Sequence, residues 1–130
     1  DESFIKNAPS DPASKTLKNA TRLWIHIRKE NQRNEAENIY KLINDIKLND
    51  MSIEQKPIQV IDYGPEISQL RYFKKEDKML AEKLFTVLSE MIPTLTLQNF
   101  SDSYSDASWL LPGHFELWIA HQQIIPNNKE

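Results

Sequence analysis

Hydrophobic and polar residues change their spacing several times along this chain, and each change marks an element. In "RLWIHIR", Leu23, Ile25 and Ile27 alternate with Trp24, His26 and Arg28, the two-residue period of a strand built from β-forming side chains. From Asn31 the spacing lengthens. Ala36, Ile39, Tyr40, Ile43 and Ile46 recur as one face of a helix reaching about Lys47, while Arg33, Glu37, Lys41 and Asp45 take the other faces. "KLNDMSIEQKP" breaks that helix, and "IQVIDY" predicts a short strand closed by the turn chemistry of Gly64 and Pro65. "SQLRYFK" then resumes an extended pattern, so the two runs predict a hairpin.

A second helix opens at Glu76 and Asp77, whose carboxylates suit the positive end of the helix dipole. Leu80, Leu84, Val87, Leu88 and Met91 form its apolar stripe, and Pro93 ends it. "TLTLQNF" alternates again, and "SDSYSDASWLLPG" predicts a polar loop in which Trp109 plugs the core. Gly113 then lets the chain turn into a last strand, where Phe115, Leu117 and Ile119 face one side and His114, Glu116 and Trp118 the other. Residues 1–20 mix Pro, Ser, Asp, Asn and Lys without a sustained period, which predicts an arm or linker too poor in apolar surface to offset its chain entropy. Residues 21–125 are expected to form one α+β domain and 126–130 a frayed tail.

Strand, helix, strand, strand, helix, strand, with one strand added, is the split βαβ plan of ferredoxin-like folds. It predicts an antiparallel sheet of four to five strands, both helices on one face, and the strands at 21–28 and 68–74 adjacent at its centre. Leu23, Ile25, Ile27, Leu70, Tyr72, Phe115, Leu117 and Ile119 would then face the helices. The opposite face would collect Trp24, His26, Arg28, Arg71, Phe73 and Trp118, the candidate ligand-binding set. Rings there stack on sugars or bases if the face is open; otherwise the arm, the loop at 101–113 or a second subunit packs over them.

Composition narrows the chemistry. The chain has 130 residues, a size for one domain, and a net charge of −3 with both signs interspersed, so no global field favours nucleic acid or an anionic membrane. Without cysteine there is no disulfide, thiolate metal site or cysteine nucleophile. His26, His114 and His121 match no metal-ligand spacing and read as scattered surface histidines. Gly64 and Gly113 are the only glycines, which excludes a GxSxG elbow, a phosphate-cradling loop and a dinucleotide fingerprint. "SDSYSDAS" lacks the glycine and terminal glutamate of a calcium loop, and "SQLRYFKK" lacks the glycine of an RNA-recognition signature. No catalytic residue, metal or cofactor is expected, nor any apolar run as long as a membrane span. Beginning at Asp1 without methionine, the sequence is expected to be a mature or trimmed chain whose export signal or anchor has been removed.

The "WIHIRKENQRNEAENIYKLI" and "LRYFKKEDKMLAEKLFTVL" segments and the closing "PGHFELWI" resemble small βαββαβ modules of bacterial envelope proteins, similar to SPOR and LytR C-terminal domains, over about residues 21–120. The resemblance implies a non-catalytic binding module in the periplasm or cell envelope, with a cell-wall glycan on the sheet face. A cytoplasmic setting stays open. The alternative is a protein-interaction or assembly domain whose sheet face or edge is covered by a partner.

Overall fold

The structure is a computed structural model describing residues 21–45, 53–104 and 106–121. The expected arm at 1–20 and tail at 126–130 lie outside the described residues, as does the end of the first helix beyond Asp45. Five strands and two helices alternate as β1 (Thr21–Ile27), α1 (Arg33–Asp45), β2 (Ile53–Val60), β3 (Gln69–Tyr72), α2 (Lys78–Leu88), β4 (Thr96–Asn99) and β5 (His114–Trp118). A short 3-10 turn precedes each helix.

The α+β class, the five strands and the two helices on one face agree with the sequence reading; the connectivity does not. The sheet runs β2-β1-β5-β3-β4. β1 pairs in parallel with both β2 and β5, β3 pairs in parallel with β4, and only β3 and β5 are antiparallel. The sheet is therefore mixed, and β5 separates the two strands that a ferredoxin-like plan would make neighbours. Two βαβ units, β1-α1-β2 and β3-α2-β4, run in opposite directions on either side of β5. Units reversed within the plane of one sheet and crossing with the same hand put their helices on the same face. One core results: Ala36, Ile39, Tyr40 and Ile43 of α1 and Leu80, Ala81, Leu84 and Leu88 of α2 pack with Leu23, Ile25, Ile27, Leu70, Tyr72, Phe115, Leu117 and Ile119. All eight sheet positions assigned to the helix side by alternation are there.

The expected hairpin between "IQVIDY" and "SQLRYFK" is absent, because β2 lies on an outer edge with β1 and β5 between it and β3. Gly64 and Pro65 carry a longer connection across the sheet end. Gly64 has φ +144, and a Cβ there would fall 3.1 Å from Trp118 Cε3 and 3.3 Å from Arg28 Nε, so its missing side chain lets the chain lie on that ring. Arg28 Nη2 donates to Pro65 O at 2.7 Å and holds the crossing down. Gly113, at φ +92, turns the chain into β5 as expected; its N–H donates to the buried Asp77 carboxylate at 2.7 Å, and its carbonyl accepts from Arg22 N at 2.7 Å. Asp77 is thus more than a helix-start charge, since it ties the start of α2 to the start of β5.

β2 also begins five residues earlier than the sequence pattern indicates, because Pro57 sits inside it. Carried back unbroken from Ile27↔Val60 and Ile25↔Ile58, the register would set the Leu23 carbonyl against Pro57, which has no N–H to give. The pairing slips instead to Leu23↔Gln55, leaving one additional residue on β2. Tyr40 Oη lies 2.8 Å from Leu23 O and 2.7 Å from Lys56 O, sharing its one proton between carbonyls of both strands at the slip. Burial drives the Tyr40 hydroxyl pKa far upward, so it stays a donor. Tyr40→Phe keeps the ring and removes that bridge. It is expected to lower the unfolding free energy by about 1–3 kcal/mol in urea titration, the usual cost of stranding buried carbonyls; a midpoint equal to wild type would show the slip to be self-supporting.

Candidate functional site

Alternation places Arg22, Trp24 and His26 of β1, His114, Glu116 and Trp118 of β5, and Gln69 and Arg71 of β3 on the face turned away from the helices. The register sets them in rows. Arg22 lies beside His114, Trp24 beside Glu116 and then Arg71, and His26 beside Trp118 and then Gln69. All six candidate residues from the sequence, Trp24, His26, Arg28, Arg71, Phe73 and Trp118, belong to this face or its margin.

They are not laid out as an open platform. Trp24 is 7 % exposed, Trp118 5 %, Phe73 2 % and His26 1 %. Arg28 and Arg71 keep partial exposure at the rim. Described residues close three margins. Phe73 packs with Ala107 and Leu110 in a second small core, where Phe100 and Tyr104 also lean on it, Tyr104 edge-on at 5.2 Å between centroids. Tyr63, with its ring 6.3 Å from that of Trp118, and Gly64 lie over the opposite end. Lys56 Nζ stands 5.5 Å from the centre of the Trp24 ring. The loop at 101–113 closes the margin at Phe73, but its buried plug is Leu110, while the expected plug Trp109 is 40 % exposed. A single turn carries both residues, and periodicity cannot choose between them.

The ordering group of this layer is one the sequence reading placed on the face yet left out of the site. Glu116 is 1 % exposed and lies between two residues of its own strand. His114 Nε2 is 2.9 Å from Glu116 Oε2, and Trp118 Nε1 donates to Glu116 Oε1 at 2.9 Å. Residues at i−2 and i+2 share the face, so one strand supplies the acceptor and both donors. Burial is the largest single influence on Glu116 and pushes its pKa up, but the hydrogen bonds from His114 and Trp118 act the other way and the pKa lies below the ordinary value. Burial likewise lowers the His114 pKa. Both directions describe an ionised carboxylate accepting from a neutral imidazole that carries its proton on Nε2. Across the strand pair, Arg71 faces Glu116 and contributes the opposing positive charge.

Rings fill the remaining volume. Trp24 lies on His114 with centroids 4.2 Å apart, His26 on Trp118 at 4.3 Å, and Phe73 meets His114 edge-on at 5.2 Å. The Arg71 guanidinium stands 4.5 Å from the centre of the Trp118 ring and 4.9 Å from that of Phe100. His26 and His114, read from the sequence as surface histidines, are among the most buried polar residues; only His121 is exposed. The pattern His-x-Glu-x-Trp was the available signal: three hydrogen-bonding side chains on one face of a strand can satisfy one another.

Among the described residues no group of three His, Cys, Asp or Glu side chains is arranged to hold a metal ion, and no helix is long and apolar enough to cross a membrane. What the arrangement can do chemically is hold charge and rings in fixed register. No family model, curated protein or solved structure matches the chain.

Two measurements test this description. Trp24→Ala and Trp118→Ala should each cost about 3–5 kcal/mol of stability, as large aromatic truncations in cores do; unchanged denaturation midpoints would mean the rings are open to solvent. The second test is acid. His26 is held neutral by burial, its pKa lowered from 6.5 to about 4. The unfolded chain therefore takes up a proton below about pH 6.5 that the folded chain refuses until about pH 4, so stability falls as pH drops through that window. The loss expected for this one group is about 3 kcal/mol, with His114 acting in the same direction. Unfolding free energies at pH 7.5 and 4.5 should show it, and His26→Phe should flatten the slope; a pH-independent wild type would contradict the neutral assignment.

Proposed function

We propose that this chain is a non-catalytic protein-interaction or assembly domain that works through contacts at its margins rather than through an open sheet face. The observation that carries the reading is the burial of Trp24, His26, Phe73 and Trp118 together with the ionised Glu116. A glycan platform needs those rings at the surface, and exposing them here would also strip the carboxylate of its ordered donors. Opening such a layer costs the packing of several aromatic side chains, each worth about 3–5 kcal/mol on truncation, against about 1–3 kcal/mol gained per stacked ligand ring. The likeness to SPOR and LytR C-terminal modules supports an accessory module in the bacterial envelope, and we keep that setting as part of the proposal. The glycan that the likeness also implies is the part set aside here, because the rings that would stack on it are buried.

The two ligand classes separate in one pair of experiments on the full chain. In cosedimentation with purified peptidoglycan sacculi, the protein is expected to stay in the supernatant. Immobilised and panned against a displayed library of random peptides, it is expected to enrich binding peptides. Retention on sacculi that Arg71→Ala weakens while leaving the melting temperature intact would overturn the proposal and restore the sheet face as a glycan site.

A further inference from the structure

One side of this sheet is roofed by two helices, and the other is as dry without them. Both α1 and α2 pack on the aliphatic side, and among the described residues no helix or second sheet lies over the rings of β1 and β5. A sheet face with no layer on it is solvated. Yet Trp24, His26, His114, Glu116 and Trp118 are each 7 % exposed or less. The loop at Phe73, the crossing at Tyr63 and Gly64, and Lys56 close three margins, which accounts for the rim and not for the middle. These exposures belong to a single chain, so neither a second copy nor a partner supplies the cover.

The two ends of the described fold differ in a way that points to one terminus. β1 is buried from its first residue, with Thr21 1 % exposed and Arg22 5 %, whereas the chain leaves β5 through His121, which is exposed. Arg22, Trp24, His26 and His114, all on the ring side, each make a polar, ring or electrostatic interaction besides those named above. Three of the four stand on β1, the strand that residues 1–20 lead into. Length suffices: 20 extended residues reach about 60 Å, and the ring side measures about 17 Å along its strands and about 20 Å across them. Composition agrees, because residues 1–20 carry Phe4, Ile5 and Leu17 among three acidic and three basic residues. Too poor in apolar surface to fold alone, such a segment gains from the rings the surface it lacks.

We propose that residues 1–20 form a strap across the ring side of the sheet, sealing Trp24, His26 and Trp118 from within the same chain. The strap is a self-inhibitory contact: any ligand for these rings has first to displace it. This inference stands apart from the protein-interaction reading, whose contacts at the margins neither need the strap nor exclude it.

Because the chain has no cysteine, a nitroxide label goes to one introduced site on the full chain without a competing thiol. Labels on Ser10→Cys and Ser14→Cys, in separate variants, are expected to remove the indole N–H signals of Trp24 and Trp118 from the NMR spectrum. The amides of Lys41 and Glu82, on the exposed sides of α1 and α2, should keep theirs. A labelled chain mixed with an unlabelled, isotope-enriched one should leave the enriched signals intact, since the contact lies within one chain. Indole signals that survive both labels, or that fade together with those of the helices, would overturn the strap. Loss from a label on Asn128→Cys alone would overturn it in favour of residues 122–130, and loss in the mixture in favour of a second copy. Where a label itself dislodges the strap, Trp24 and Trp118 should open to acrylamide quenching in that variant and stay shielded in the wild type; equal quenching of both proteins at the level of free tryptophan would again count against it.

Discussion

A carboxylate taken out of water must be surrounded by donors, and Glu116 sets that requirement at the middle of the central strand. Its own strand provides two of them, and the neighbours are then constrained in turn. His114 must keep its proton on Nε2, so the imidazole plane is fixed and Trp24 and Phe73 pack against a ring of known orientation. Trp118 must point its N–H back along the strand, which presents its face to His26 on one side and to the Arg71 guanidinium on another. What looks like a collection of aromatic contacts is one hydrogen-bonded carboxylate propagated through rings. Buried hydrogen-bond networks of this kind rigidify an interior and are costly to break.

The two faces of the sheet are thus interiors of different kinds. Toward the helices, aliphatic side chains from both βαβ units close one dry core by volume alone. Away from them, order comes from direction, through hydrogen bonds, ring geometry and a charge opposed across two strands. β5 belongs to both. Its five residues are buried without exception, the apolar pair on one side and His-Glu-Trp on the other, as expected of a strand flanked by neighbours and covered on both faces.

How much of this could be read in the chain follows from which signals are local. Side-chain parity is local, and it assigned Leu23, Ile25, Leu70 and Phe115 to one face and Trp24, His26, Arg71 and Trp118 to the other. Strand neighbours are not local: nothing within "PGHFELWI" says that it will insert between β1 and β3, and Gly64 followed by Pro65 serves a hairpin and a crossing connection equally well. Pro57 hid the first half of β2, because proline argues against a strand unless a slip absorbs it. His26 and His114 were read as surface residues, and Glu116 was left out of the site, for a third reason. A polar letter on the second face of a strand looks the same whether it meets water or a partner, and only the three-dimensional neighbours of Glu116 show that its demand is met inside.

Of the five described strands, the one synthesised last is the one that joins the other four into a single sheet. Without β5, the β1–β2 pair and the β3–β4 pair share no hydrogen-bonded neighbour, so a chain made only through β4 lacks the strand that joins its two βαβ units. A small domain of this connectivity cannot complete its sheet progressively from the N-terminus; it must hold two unfinished edges apart until residues 114–118 arrive to join them. Quality control during synthesis would therefore meet this protein at its most adhesive just before translation delivers the strand that closes it.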